Sequence, residues 1–352
     1  LLGICMAMTA FASSSYAQPA SSPAQPVLRA IVEAENALRQ NEPQLAESRY
    51  RTALQEGWLL LGALAVAEDD MEAAKSAYES ALVSAVESHR AKLSLATLAI
   101  KTGNPEEAIT PLRLIVSMNT MDHQARQLLA QALATNGQID ESIQEMRELQ
   151  ILFPQDLEIN YQLATLLLRH ERIDEVEPLF AELAANRPMP QTYILIGRTY
   201  RDFDYYPQAR EALNRALEMD PQVRRANFYL GTVEFFEHGQ SRINEAMDYL
   251  QAELDLEPED PMSNLYLGLA LVEERREDDA IPPLEIASRY PQTQTLALEF
   301  LGRAHLRLGQ IDESVTYLRQ ALELAELLSE SGPNKLLVDH RLRQVSMIHY
   351  QL

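Results

Sequence analysis

From Gln25 onward, short apolar-periodic stretches alternate with polar breaks. Within each stretch, apolar residues recur at i, i+3, i+4 and i+7, the spacing of one helix face. The breaks carry helix-stopping residues: Gly103-Asn104-Pro105, Asn136-Gly137, Gly239 and Gly309. Prolines at 154, 188, 221, 258 and 291 punctuate the ends of longer units. A proline cannot continue a helix and pushes its predecessor out of helical geometry, so each closes one helix and sets the entry of the next. The pattern predicts short amphipathic helices in pairs, an all-α chain.

The pairs recur at a fixed period. A large apolar residue followed by Gly or Ala occurs at Leu61-Gly62, Leu95-Ala96, Leu129-Ala130, Leu163-Ala164, Ile196-Gly197, Leu230-Gly231, Leu267-Gly268 and Leu301-Gly302. Successive gaps are 34, 34, 34, 33, 34, 37 and 34 residues. A second small residue follows in each unit, at Ala74, Ala108, Ser142, Ala209, Ala246, Ala280 or Ser314, with Val176 in one unit. Four residues later comes a large apolar one, such as Tyr78, Leu112, Met146, Phe180 or Leu213. Small residues let two helices approach closely, so a large side chain at Gly197 or Gly231 would push the pair apart. No such hairpin can bury its apolar face alone, and stacked neighbours share one core.

This register resembles the tetratricopeptide repeat family, whose 34-residue unit reads W-x2-L-G-x2-Y, then A-x3-F-x2-A, then P. The unit from Gln55 has Trp58, Leu61, Gly62, Ala74, Tyr78 and Ala81; the unit from Pro190 has Ile196, Gly197, Tyr200, Ala209, Leu213, Ala216 and Pro221. Eight units, starting near 55, 89, 123, 157, 190, 224, 261 and 295, cover residues 55–330. A degenerate hairpin over 27–54 carries Ala34, Ala46, Tyr50 and Ala53, at a spacing of only 28 residues from the next unit. The resemblance implies a right-handed α-solenoid whose first helices line a groove for a partner protein or peptide. Trp58 and Tyr200 fall on packing positions of the motif.

The family's groove-facing positions translate here to Gln124, Gln127 and Gln131, then Tyr161, Thr165 and Arg169, then Arg198 and Arg201. Arg225, Phe228, Thr232, Phe235 and Phe236 follow, and later Arg303 and Arg307. The chain has 30 basic and 52 acidic residues, a formal charge of −22. Several arginines on one expected face are therefore notable, because guanidinium binds carboxylate bidentately and stacks on aromatic rings. Two readings stand side by side. The arginines hold an extended peptide with acidic and apolar side chains, or they pair with neighbouring Glu and Asp and serve solubility. The family's carboxylate clamp needs Lys and Asn at set groove positions; the ninth positions here hold Ala63, Thr97, Gln131, Thr165, Arg198 and Thr232 and no Asn, so the resemblance does not carry that specificity over.

Charge narrows the partners further. An acidic chain lacks the basic face that neutralises phosphates, so no nucleic-acid partner is expected. The only cysteine is Cys5, which excludes an internal disulfide and a cysteine zinc site. No catalytic or phosphate-binding motif occurs, and neither enzyme activity nor a cofactor is expected of these residues. His89 and His123 share the first position of consecutive repeats and read as polar residues near helix starts.

The first 17 residues are uncharged, with an apolar run to Ala12 and Ser15-Tyr16-Ala17 as a small-x-small cleavage site. They read as a signal peptide lacking its basic start, and 18–26 reads as a flexible linker. No other apolar run approaches membrane length. The expected location is periplasmic or extracellular, as for an exported bacterial interaction module. Residues 331–352 contain a turn and then His349-Tyr350-Gln351-Leu352, echoing Asn160-Tyr161-Gln162-Leu163. They read as the start of a further, truncated repeat. The expected function is a non-catalytic scaffold; the alternative is the recognition arm of a larger enzyme or envelope-assembly factor. A three-residue insertion around 237–243 reads as a tolerated surface loop or as a contact loop at the groove edge.

Overall fold

Helix-forming stretches and their stops alternate, and the chain folds accordingly. The computed structural model describes residues 23–85 and 88–330. The expected leader (1–17), residues 18–22 of the expected linker and the expected extra repeat (331–352) lie outside the described residues. Among the described residues there is no strand.

The described residues fall into two compact units, divided between Ile159 and Asn160. The first holds α1 (Gln25–Arg39), α2 (Pro43–Ala67), α3 (Met71–Ser84), α4 (His89–Lys101), α5 (Pro105–Met118), α6 (His123–Thr135) and α7 (Ile139–Leu152). Helix α8 (Leu157–Arg169) begins at its end. The second continues with α9 (Glu177–Asn186), α10 (Pro190–Asp202), α11 (Tyr206–Met219), α12 (Ala226–His238) and α13 (Ile243–Leu256). It ends with α14 (Pro261–Glu273), α15 (Glu277–Ala287), α16 (Gln294–Arg307) and α17 (Ile311–Glu330).

Antiparallel hairpins α4–α5, α6–α7, α10–α11, α12–α13, α14–α15 and α16–α17 stack, each second helix packing on the next first helix within its unit. First helices also touch one another, α4 on α6, α10 on α12, α12 on α14 and α14 on α16. Second helices approach each other less closely. Each unit is thus a stretch of α-solenoid with its first helices drawn together.

Close approach within a hairpin depends on the small residues. A Cβ at Gly197 would sit 2.6 Å from Leu213 Cγ, and one at Gly231 would sit 2.8 Å from Leu250 Cγ and 3.0 Å from the Ala246 carbonyl oxygen. Where serine replaces the second small residue, its buried hydroxyl reaches across the hairpin. Ser142 Oγ donates to the Ala130 carbonyl at 2.6 Å, and Ser314 Oγ to the Gly302 carbonyl at 2.8 Å. A buried hydroxyl needs such a partner, and only helices this close supply it. Asp70, Ser88, Asp122 and Asp260 cap first turns by accepting a backbone N–H three residues on.

The N-terminal end departs from the expected layout. The boundary at 54/55 falls inside α2, which runs unbroken for 25 residues. Between Pro43 and Ala67 the glycines Gly57 and Gly62 stand singly among good helix formers, with no further proline and no Asn-Gly stop, so nothing ends the helix. The short 28-residue spacing is the signature of the missing inter-repeat loop. Gln25 and Pro26, expected in the linker, already belong to α1. Trp58 is not core packing: it keeps 37% of its surface exposed. The alanines Ala30, Ala34, Ala37, Ala46 and Ala53 fill the interior of this hairpin, and the indole lies in an open groove beside Val27 and Ile31. Tyr200, by contrast, is buried against Phe180, ring centroids 5.1 Å apart.

The insertion after α12 is a 3-10 turn, Gly239–Arg242, held from inside. Buried Glu234 accepts from Arg210 Nε at 2.7 Å and Arg242 Nη1 at 3.4 Å, with His238 Nε2 at 3.6 Å.

Candidate functional site

The site is built on the first-helix layer of residues 160–330. Register places the same face of α8, α10, α12 and α14 side by side, so residues about 34 apart become neighbours. Tyr161 on α8 accepts from Thr199 Oγ1 on α10 at 3.4 Å. Arg198, one residue earlier on α10, stands near Tyr161 and Tyr229, the latter on α12, and both raise the pKa of its guanidinium. Arg201 lies one helical turn further along α10. Its Cζ sits 4.8 Å from the centre of the Tyr229 ring and its Nη1 donates to Thr232 Oγ1 at 3.1 Å. Tyr229 thus carries one arginine over its ring face and has a second, Arg198, nearby.

Beyond Tyr229 the surface becomes aromatic. Tyr266 on α14 meets Phe228, Phe235 and Phe236 edge-on, ring centroids 5.8, 6.0 and 5.9 Å away. Such geometry matches the ring quadrupoles and makes a firm apolar platform. Phe236 leaves half its surface to solvent. Burial pushes the Tyr266 phenol above its ordinary value, with the Arg201 charge pulling the other way.

The expected groove residues divide by environment. Arg198 is exposed, Arg201, Tyr161 and Phe235 are half-buried, and together they present chemistry to solvent. Phe228 and Thr232 are buried and act as the floor. Thr165 spends its hydroxyl on the Tyr161 carbonyl at 2.9 Å. Arg169 is exposed in the last turn of α8. Gln127, half-buried, and Gln131, exposed, belong to residues 23–159, apart from the arginine and aromatic cluster.

The two readings of the arginines separate residue by residue. Arg225 pairs with Asp260 at 3.1 Å and covers Phe228, Cζ 5.5 Å from the ring centre. Arg201 pairs with its neighbour Asp202. Arg303 pairs with Glu273 at 3.6 Å, and Arg307 with Glu277 at 3.4 Å. Arg198 differs, because among the described residues no carboxylate pairs with it and its side-chain neighbours are Tyr161 and Tyr229. Desolvation alone would lower the pKa of its guanidinium; Tyr161 and Tyr229 outweigh that and raise it.

Tyr229, Tyr266 and Glu253 were absent from the sequence reading. Both tyrosines stand at the sixth position of consecutive units, a register signal that was available. Glu253 carried none. It is fully buried on α13, accepting from the Arg225 N–H at 2.6 Å and the Phe228 N–H at 3.3 Å. It thereby caps α12 from outside, while Arg225 takes a left-handed backbone, φ 77°.

The histidines at first positions serve structure. His89 Nε2 lies 2.9 Å from Asp122, and His123 packs edge-on against Phe153. Among the described residues no cluster of three His, Cys, Asp or Glu could hold a metal ion, and no helix is long and apolar enough to cross a membrane.

Family comparison settles what this stack is. A family model described as Tetratricopeptide repeat matches residues 59–120, 194–241 and 239–292, and a second of the same description matches 297–326. The chain is a tetratricopeptide repeat protein. Solved structures of similar fold include a tetratricopeptide repeat protein from Parabacteroides merdae. It is 13% identical, with 83% of this chain and 99% of that one covered and a TM-score of 0.44. The yeast Tom70 is 15% identical over 91% of this chain and 69% of its own, TM-score 0.49. YrrB, titled a TPR protein with an unusual peptide-binding site, is 15% identical over 66% and 97%, TM-score 0.35. No curated protein matches this tetratricopeptide repeat sequence.

Proposed function

We propose that this protein is a non-catalytic interaction scaffold that binds an extended peptide segment along α8, α10, α12 and α14. The bound segment carries carboxylate side chains beside apolar or aromatic ones. Arg198 takes a carboxylate, Arg201 supports it through Tyr229, and Phe235, Phe236 and Tyr266 take the apolar side chain. One observation carries the reading: in a chain of charge −22, Arg198 is exposed beside Tyr161 and Tyr229, and among the described residues no carboxylate pairs with it. An exposed guanidinium on the same face as an exposed ring suits a ligand with both chemistries.

The test is an array of extended peptides in which Asp or Glu flanks Phe, Leu or Ile, beside the same peptides with Lys in place of the acids. The acidic set should bind, and Arg198→Ala should weaken it about tenfold, on the scale of one charged hydrogen bond. Equal binding of both sets, or no effect of Arg198→Ala, contradicts the reading.

We further propose that the scaffold works outside the cytoplasm, in a periplasm or at a cell surface. The uncharged apolar run to Ala12 and the Ser15-Tyr16-Ala17 site support this. A product beginning at Gln18, detected by mass after expression in an exporting host, is the expected outcome; an unprocessed product in the cytosol contradicts it.

A further inference from the structure

The N-terminal hairpin is built inside out. Its interior is alanine, Ala30, Ala34 and Ala37 of α1 against Ala46 and Ala53 of α2. Its large apolar side chains face solvent instead. On α1, Leu28 and Val32 are each 54% exposed. On α2, Tyr50, Leu54, Trp58 and Leu61 form one stripe at helical spacing, with Leu54 and Leu61 more than half exposed. Together with Val27 and Ile31 of α1, this stripe lines an open groove of about 510 Å³ whose walls are almost wholly apolar.

A hairpin face that no neighbouring hairpin covers is ordinarily polar. Among the described residues α1 has α2 as its one substantial packing partner, yet its other face is apolar. Contiguous apolar surface of this kind marks a contact surface.

Charge says what covers it. Two copies of a −22 chain repel wherever acids face each other. Along α1 and α2 that excess vanishes: Arg29, Arg39, Arg49 and Arg51 stand among Glu33, Glu35, Glu47 and Glu56. Arg29 and Arg49 both reach Glu33, at 2.9 and 3.3 Å, and Arg51 reaches Glu47 at 2.9 Å. A two-fold contact must be self-complementary, presenting the same patch from both sides. An apolar stripe with a mixed rim of arginine and glutamate meets that condition. A partner of strong single sign would meet repulsion from half the rim.

We propose that the protein is a homodimer joined through the α1–α2 face, with the Tyr50–Leu54–Trp58–Leu61 stripe of one copy packed on that of the other. This surface is separate from the peptide face on α8 to α14, so either proposal can fail alone.

Trp58 is the single tryptophan of the chain, so it reports on the contact directly. Sedimentation equilibrium of the full chain should give twice the chain mass. On dilution the mass should fall to that of a monomer while Trp58 emission shifts to the red over the same concentrations. Leu54→Glu and Leu61→Glu place a charge on an already exposed position and leave the helical melt unchanged. Each should weaken the dimer by about 100-fold, as for a central apolar contact. A monomer at every concentration overturns the proposal, as does association that survives both variants or leaves Trp58 emission unmoved.

Discussion

Arg198 shows how one residue acquires a role from its neighbours. Its spacing places it on the first-helix face with several other arginines, and most of those are neutralised by a local acid. Arg198 is set apart because its neighbours are Tyr161 and Tyr229, and among the described residues no carboxylate pairs with it. Glu253 works the other way, as a charge buried for structure. The first N–H groups of a helix lack internal partners, and α12 receives two of its caps from this carboxylate. Burial raises the Glu253 pKa, the two N–H donors partly offset that, and nearby Asp260 adds to the rise. The folded state thus holds this proton more tightly than the unfolded chain. The stabilising contribution of the protonated form is complete below the ordinary carboxylate pKa and is lost as pH rises through the raised value. Glu253→Gln cannot titrate. As pH falls from neutral through that window, wild type should gain stability relative to Glu253→Gln in urea unfolding; a constant gap between the two contradicts this account.

At the scale of elements, packing distance is the controlling quantity. The hairpins close because one helix offers Gly or Ala and its partner offers a large side chain. Gly231 touches the limit, since even a Cβ would stand 2.8 Å from Leu250. Gly231→Ile should cost about 1–3 kcal/mol, the usual range for overpacking a filled core, read as a lowered unfolding midpoint. An unchanged midpoint means the α12–α13 hairpin is slack. Much of this was legible in the sequence, because period, small-residue register and proline stops are local signals of backbone geometry. The fused α2 was legible only as a short spacing, whose cause is a missing loop. The site was legible to the level of the face and no further. Which arginines are neutralised depends on distances between repeats, and the buried cap by Glu253 spans two helices with no motif to mark it. Trp58 was misread because its motif position assumes a place in the hairpin interior, which alanines fill here.

For the whole molecule, stability resides in nearest-neighbour contacts between hairpins, and the charge of −22 favours solubility. Against that background, the two surfaces that escape the acidic excess are the informative ones. One is apolar with a balanced rim on α1 and α2; the other joins arginine to aromatic rings on α8 to α14. The central claim is that the second of these binds a peptide of stated chemistry. The most direct measurement replaces Phe236 by a photoreactive phenylalanine analogue, with Met219 on α11 replaced in a parallel control, and sequences what each crosslinks in the exporting host. The account predicts that position 236 captures one recurrent extended segment with acidic residues beside an apolar one, that position 219 does not, and that Arg198→Ala removes the capture. Equal capture at both positions, or a captured segment that is basic, would contradict it.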